Sequence, residues 1–142
     1  MTIAWKATYN TGNRNIDLQH QELVEMINEL DDLLARDASQ ERLQSLFKSL
    51  NQYVVFHFGY EEILMGKGLI TPEFRAGHQQ EHAAFATRVQ AQADAAFANG
   101  GAVDRALVVE LVEFLKSWLI SHIMGTDKLL AKMLAAGGTS AP

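Results

Sequence analysis

The sequence predicts an all-α protein, an antiparallel up-down-up-down four-helix bundle with an N-terminal arm. Apolar residues recur with a 3.6-residue period in four successive segments, no segment alternates as a strand would, and there are only two prolines. The connections are short, so consecutive helices should run antiparallel. With 142 residues, the chain is long enough for one compact domain over 1–142, with the arm at 1–16 and a flexible tail at 136–142.

Composition excludes several classes of function. The net charge of −5 and a pI near 5.5, without a cluster of Lys or Arg, argue against a nucleic-acid partner. The absence of cysteine excludes disulfides, thiolate ligands and a cysteine nucleophile. No stretch approaches the roughly 18 apolar residues of a membrane span, and the start lacks the pattern of a signal peptide. We therefore expect a cytoplasmic monomer that does not insert into membranes.

The first helix should begin near Asp17, whose carboxylate can cap a helix N-terminus. His20 lies one turn before the apolar row and on the same stripe, so it should point inward. The row itself is formed by Leu23, Ile27, Leu30 and Leu34.

The second helix should begin at Ser39 and end where Gly66 and Gly68 interrupt the pattern. His57 and Glu61 occupy core positions of its stripe, where polar side chains need partners. The rest of the stripe is apolar: Leu43, Leu46, Phe47, Leu50, Val54 and Leu64.

Thr71-Pro72 is typical of a third helix start, with a capping hydroxyl followed by proline at the first helical position. This helix should end at Asn99-Gly100-Gly101. One face carries Phe74, His78, His82, Phe85 and Val89.

The last helix should run from about Val103 to Ala135 and end at Gly137-Gly138. Its two inner residues, His122 and Asp127, are spaced i,i+5, which on a straight helix separates them by about 140°. Either they approach a site from adjacent ridges, or a wide turn near Gly125 realigns them. The sequence leaves both solutions open. The ridges are Leu111, Leu115, Trp118 and His122, and Leu119, Ile123, Asp127 and Leu130.

All five histidines of the chain thus fall on inner stripes, beside two acids. Taken singly, each has an ordinary structural explanation: a hydrogen-bonded core histidine, an i,i+4 ion pair, or a surface pair. Taken together, they favour a metal site, because i,i+4 pairs offer two ligands from one helical face. Imidazole with carboxylate suits iron, manganese, zinc or copper. The candidate ligands are His20, His57, Glu61, His78, His82, His122 and Asp127.

The spacing H…HxxxE…HxxxH…HxxxxD resembles that of the hemerythrin family, and every position of the pattern is filled. The likeness to bacterial members runs from about Trp5 to Leu134. It includes Trp5 in the arm and the stretches Ile16-Asp17-Leu18-Gln19-His20 and Trp118-Leu119-Ile120-Ser121-His122-Ile123. One departure is Thr71-Pro72, where bacterial members commonly have Tyr-Pro.

The resemblance implies a non-heme di-iron site bridged by Glu61, Asp127 and an oxo or hydroxo group. One iron would take His78, His82 and His122, and the other would take His20 and His57, with a vacant position for dioxygen. Trp118, Leu119 and Ile123 would form an apolar wall around the oxygen, with Leu119 as a gate. Function would then be reversible dioxygen binding for storage or delivery, without enzymatic activity.

Three alternatives use the same residues. The protein could be an oxygen or redox sensor acting through a separate partner. It could also be a di-iron enzyme that reduces nitric oxide or peroxide or oxidises ferrous iron. A structural zinc bundle is disfavoured, because seven ligands exceed the four of a usual structural zinc site. Gln19, Glu62 and Glu81 are close enough in sequence to support ligands, but we expect Glu62 and Glu81 to be solvated surface residues without a role.

Overall fold

The computed structural model describes residues 2–67, 70–98 and 103–136. Within these ranges the chain is helical and forms no strand. The elements are a 3₁₀ turn Ala7–Tyr9, α1 Arg14–Ala35, α2 Gln40–Met65, α3 Pro72–Ala96, α4 Arg105–His122, a π-helical segment Ile123–Asp127, and α5 Lys128–Ala136. The last three follow one another without a break, so four long helical rods form the predicted four-helix bundle.

Contacts between neighbouring rods run in opposite directions, which confirms the antiparallel arrangement. His20 near the start of α1 meets Asp127, whereas Asp31 near its end meets Lys116. In the same way, His57 of α2 contacts Gln19 of α1 while Tyr60, farther along α2, contacts Asn15. The α3–α4 contacts also reverse: His78 with His122, Phe85 with Trp118, and Arg88 with Phe114.

Side-chain caps fix the starts of the helices. Ser39 and Thr71 accept hydrogen bonds from the third backbone N–H that follows each of them, as predicted. The predicted cap at Asp17 is wrong, because Asn13 caps α1 and the helix begins earlier, within the range expected for the arm. The Asp17 carboxylate instead accepts from the backbone N–H and hydroxyl of Thr11, both at 2.7 Å. It ties the arm to the first turn.

Two apolar clusters lie on either side of the predicted ligands. The larger extends from Leu30 and Leu43 to Leu119 and Ile123, and Leu34 packs against it while remaining partly exposed. The smaller closes the other end of the bundle and consists of Ile16, Leu64, Met65, Leu130 and Leu134. Burial of apolar surface stabilises the fold by roughly 25 cal/mol per Å². Packing of the two clusters therefore fixes the helices, and with them the predicted ligands that lie between the clusters.

Some predicted chain ends cannot be compared with the fold. Gly68, the stop at Asn99-Gly100-Gly101 and the stop at Gly137-Gly138 lie outside the described residues, as does the tail beyond Ala136. Among the residues that are described, no helix is long and apolar enough to cross a membrane.

Candidate metal centre

The structure brings all seven predicted ligands together in the interior. None of their side chains is more than 4% exposed. Each rod supplies at least one: His20 from α1, His57 and Glu61 from α2, His78 and His82 from α3, and His122 and Asp127 from the fourth rod. An apolar core holds such polar groups only where they find partners among themselves or with an ion.

The π-helical segment settles how His122 and Asp127 reach one site. Ile123–Asp127 adopts the wide turn, which is the second of the two solutions left open by the sequence. Both side chains then point inward, with His122 Nε2 3.0 Å from Asp127 Oδ1. Gly125 lies within the turn, but a Cβ added there would meet nothing within 4 Å. Close packing therefore does not require glycine at this position.

The ligand atoms separate into two groups that each fit one metal ion. Within each group they lie within 4.8 Å of one another, and every member is buried. The first, called the three-histidine group here, contains Glu61, His78, His82 and His122. The second, called the two-histidine group, contains His20, His57, Glu61 and Asp127. Glu61 belongs to both, so two ions would be neighbours.

Glu61 presents a different oxygen to each group. Its Oε1 lies 3.1 Å from Nε2 of His82 and 3.4 Å from Nε2 of His78. Its Oε2 faces the other way, 3.6 Å from Nε2 of His57. A carboxylate oriented in this way can bridge two cations.

Asp127 is arranged in the same manner from the opposite side. Its Oδ2 lies 2.7 Å from Nε2 of His20, in the two-histidine group. Its Oδ1 lies 3.1 Å and 3.0 Å from Nε2 of His78 and His122, in the three-histidine group. Asp127 and Glu61 therefore both span the two groups.

Several of these atoms are buried without a hydrogen-bond partner. They include both nitrogens of His20, Nε2 of His57, Oε2 of Glu61 and both oxygens of Asp127. His20 Nε2 lies 2.7 Å from Asp127 Oδ2, but the two groups are not aligned for a hydrogen bond, which requires direction as well as distance. A buried polar atom left unpaired costs about 1–3 kcal/mol. Metal ions at the centre would satisfy this set of donors.

The two buried carboxylates carry negative charge that needs a positive partner. Burial would raise the pKa of Glu61, but neighbouring histidines lower it to about 2. Burial would raise the pKa of Asp127, but the close imidazoles of His122, His20 and His78 hold it well below its ordinary value. Both carboxylates are thus ionised at neutral pH, and a buried anion requires a compensating positive charge.

The pKa values of the buried histidines are shifted in opposite directions. Burial lowers the pKa of His57 to about 4. Burial also acts against the charged forms of His78 and His122, but the nearby carboxylates of Asp127 and Glu61 outweigh it and raise the pKa values of the two histidines to about 9 and about 10. In the protein alone, protons on His78 and His122 balance the two carboxylates. Metal ions would take the place of those protons.

Known proteins are similar in sequence to most of this chain. The family model described as "Hemerythrin HHE cation binding domain" matches residues 11–134. The chain is 33% identical over 129 residues to a bacteriohemerythrin of Pseudomonas paraeruginosa, covering 88% of this chain and 76% of the relative. It is 30% identical over 135 residues to a bacteriohemerythrin of Methylococcus capsulatus (94% and 98%). A hemerythrin-like protein of Naegleria gruberi is 28% identical over 126 residues (87% and 86%).

The chain belongs to the hemerythrin family. The buried cluster of histidines and carboxylates is therefore a metal site, and iron is the metal of this family. The predicted departure at Thr71 has a structural use, because its hydroxyl caps α3 through the N–H of Phe74. No predicted ligand is involved in that contact.

The three residues predicted for an apolar wall differ in where the fold places them. Trp118 stacks on His122, with ring centroids 4.4 Å apart and planes at 15°. Leu119 is buried and, with Trp118, lines a small apolar cavity of about 10 Å³. Ile123 is fully buried but does not line this cavity. Phe58, which the sequence analysis did not assign to the wall, lines the cavity and stacks on His82 with ring centroids 3.7 Å apart.

The outer nitrogens of three ligand histidines have partners. His57 Nδ1 lies 2.7 Å from Gln19 Oε1. Glu62 Oε2 lies 3.2 Å from Nδ1 of His82, and Glu81 Oε1 lies 3.0 Å from Nδ1 of His122. The expectation that the two glutamates are merely solvated is therefore wrong. Their side chains lie at the edge of the bundle, where they are 38% and 45% exposed and still reach the imidazoles.

Proposed function

We propose that this protein binds dioxygen reversibly at a di-iron centre bridged by Glu61 and Asp127. The observation that carries the proposal is the orientation of these two buried carboxylates, each with one oxygen toward each histidine group. This arrangement suits a pair of ions better than a single one. Membership in the hemerythrin family supports iron as the metal.

The two groups would serve different purposes. His78, His82 and His122 would hold one iron, and His20 and His57 would hold the other. The second group offers one nitrogen fewer, so an exogenous ligand has room there. When bound, the iron pair would supply the electrons that reversible dioxygen binding requires. An oxo or hydroxo group would complete the proposed centre.

The side chains around the centre favour binding of a small apolar molecule. The adjoining cavity is lined by residues such as Phe58, Phe85 and Leu119, and all of its lining is apolar or aromatic. Such walls exclude water and anions, which would otherwise promote oxidation of the ferrous state. They also provide no acid or base for turnover, so we propose carriage rather than the reduction of nitric oxide or peroxide. Five neutral imidazoles with only two bridging carboxylates likewise favour return to the ferrous state.

The test is an anaerobic titration of the ferrous-loaded protein with dioxygen, followed by absorption spectroscopy and then by flushing with argon. We expect a new visible band that saturates at one dioxygen per pair of irons and disappears on deoxygenation. Irreversible spectral change with consumption of electrons would favour a di-iron enzyme. No spectral change despite bound iron would contradict dioxygen binding and leave a role in sensing through another ligand.

A further inference from the structure

The five histidines are oriented alike but supported differently. Each one turns Nε2 toward the centre and Nδ1 away from it. Gln19, Glu62 and Glu81 contact the Nδ1 atoms of His57, His82 and His122 respectively. The Nδ1 atoms of His20 and His78 are buried without a partner.

Both outer carboxylates serve the same group. Glu62 and Glu81 contact members of the three-histidine group, whereas the two-histidine group has only the neutral amide of Gln19. Because a hydrogen bond to an ionised acceptor is roughly twice as strong as one to a neutral acceptor, the two groups differ in donor strength. The asymmetry comes from residues outside the ligand set.

We propose that Glu62 and Glu81 are positioning residues that make the three-histidine group the stronger electron donor and the tighter metal position of the pair. The inference rests on the proposed di-metal centre and deepens it, because it assigns unequal roles to the two positions. A metal bound at Nε2 leaves the imidazole proton on Nδ1, from which it is donated to the glutamate. The carboxylate draws that proton toward itself and makes Nε2 a stronger ligand.

Glu81 is held for this purpose by the π-helical segment. The hydroxyl of Thr126 lies 2.8 Å and 2.9 Å from its two carboxylate oxygens. Glu81 therefore links α3 to both His122 and the turn that carries Asp127. The wide turn therefore orients Asp127 and, through Thr126, also holds Glu81 against His122.

Stacking restricts the same two imidazoles. Phe58 is nearly parallel to His82, at 2°, and Trp118 lies at 15° to His122. With the ring face fixed by an aromatic side chain and the ring edge fixed by a carboxylate, each imidazole has a defined direction for Nε2. Among the ligand histidines of the described structure, these are the two whose Nδ1 faces a glutamate.

The first experiment titrates the full-length protein with cobalt(II) and follows its d–d absorption. Glu81→Gln keeps an acceptor but removes the charge, and Glu81→Asp keeps the charge but withdraws it from His122. We expect these two variants and Glu62→Gln to lower the affinity for one of the two cobalt ions by about tenfold or more. The affinity for the other ion should not change. Glu110→Gln is the matched control, since it removes an exposed charge from α4.

The second measurement is the reduction potential of the iron-loaded protein, which a purely structural role of the glutamates would leave unchanged. Glu81→Gln should raise it, because a weaker donor set favours the ferrous state. Gln19→Glu should lower it, because it gives the two-histidine group the carboxylate that it lacks. Thr126→Val should weaken cobalt binding in the same direction as Glu81→Gln, but less.

The outcomes separate this inference from the proposed function. A wild-type protein that binds fewer than two cobalt ions would contradict the di-metal centre itself. Two ions bound by the wild type, with unchanged affinity and potential in the glutamate variants, would overturn only the role of Glu62 and Glu81. Equal weakening of both ions would also overturn it, since the proposal requires the effect to be confined to one.

Discussion

Asp127 Oδ2 lies 2.7 Å from His20 Nε2 although the two residues belong to opposite ends of the chain. The contact depends on the π-helical segment, because its wide turn lets Asp127 point toward the same centre as His122. Without a wide turn, the i,i+5 spacing would place the two side chains about 140° apart. A local change of helical period therefore joins the first helix to the last.

Asp127→Asn should weaken binding of at least one of two cobalt(II) ions by more than about tenfold, since loss of outer partners alone costs about that much. The amide has no charge and offers only one oxygen, so it cannot face both histidine groups as an acceptor. Cobalt titration by absorption spectroscopy provides the measurement. Asp94→Asn, on the exposed surface of α3, is the control and should bind as the wild type does. Equal binding by Asp127→Asn would contradict the bridging role.

The buried cluster of candidate ligands was predictable because polar residues on an apolar helical stripe are conspicuous. His57 and Glu61 interrupt a row of leucine, phenylalanine and valine, and the structure buries both. The wide turn was not predictable, since i,i+5 spacing is compatible with two backbone solutions. Gly125 did not decide between them, because its surroundings accept a side chain.

Outer partners escaped prediction for a different reason. Glu62 and Glu81 are exposed enough to resemble ordinary surface acids, and their contacts depend on how a neighbouring helix is placed. The start of α1 was also predicted incorrectly because of a contact between segments. Asp17 is a good capping residue, but the arm returns over the first turn and occupies its carboxylate, leaving Asn13 to cap the helix.

Gly125→Ala should stabilise the protein by about 0.5–1 kcal/mol, the usual gain on replacing a helical glycine by alanine. A Cβ at this site meets nothing within 4 Å, and the same holds for Gly77 within regular α3. Gly77→Ala is therefore the matched comparison and should give a similar gain in denaturant unfolding. Destabilisation by Gly125→Ala alone would mean that the π-helical turn needs the backbone freedom of glycine.

Leu119→Ala should speed autoxidation of the ferrous, oxygen-bound protein. Leu119 is 5% exposed and lines the apolar cavity, so truncation would admit water and anions. The substitution should also cost about 2–5 kcal/mol of stability, as for other buried leucines. Leu111→Ala, at a fully buried position nearer the start of α4, controls for this loss. If both variants autoxidise equally fast, general loosening rather than a gate explains the effect.

Trp118 should report metal binding by fluorescence. Its ring stacks on His122, whereas Trp5, the other tryptophan, hydrogen-bonds to Asn10 in the arm. We expect cobalt(II) to quench emission strongly in Trp5→Phe, which retains only Trp118, and weakly in Trp118→Phe. Zinc(II), which has no d–d absorption, is the control ion for changes in conformation. Strong quenching of Trp5 alone would place the metal elsewhere.

The Asp31–Lys116 pair should stabilise the α1–α4 contact only within a defined range of pH. Burial would raise the pKa of Asp31, but Lys116, whose Nζ lies 2.9 Å away, lowers it below 3.8. Desolvation opposes the charge on Lys116, yet Asp31 raises its pKa above 10.5. The pKa of Asp31 is lowered on folding, so its charge stabilises the protein above the unfolded pKa, and this contribution is lost as pH falls through the folded pKa. The pKa of Lys116 is raised on folding, so its contribution is lost as pH rises through the folded pKa.

The free energy of unfolding of Asp31→Asn, measured with denaturant, should therefore be about 2 kcal/mol lower than that of the wild type at neutral pH. The difference should become smaller at both low and high pH. Asp32→Asn, which removes the exposed i,i+4 pair with Arg36, should show little deficit at any pH, and an equal deficit would contradict a special role for the Lys116 contact.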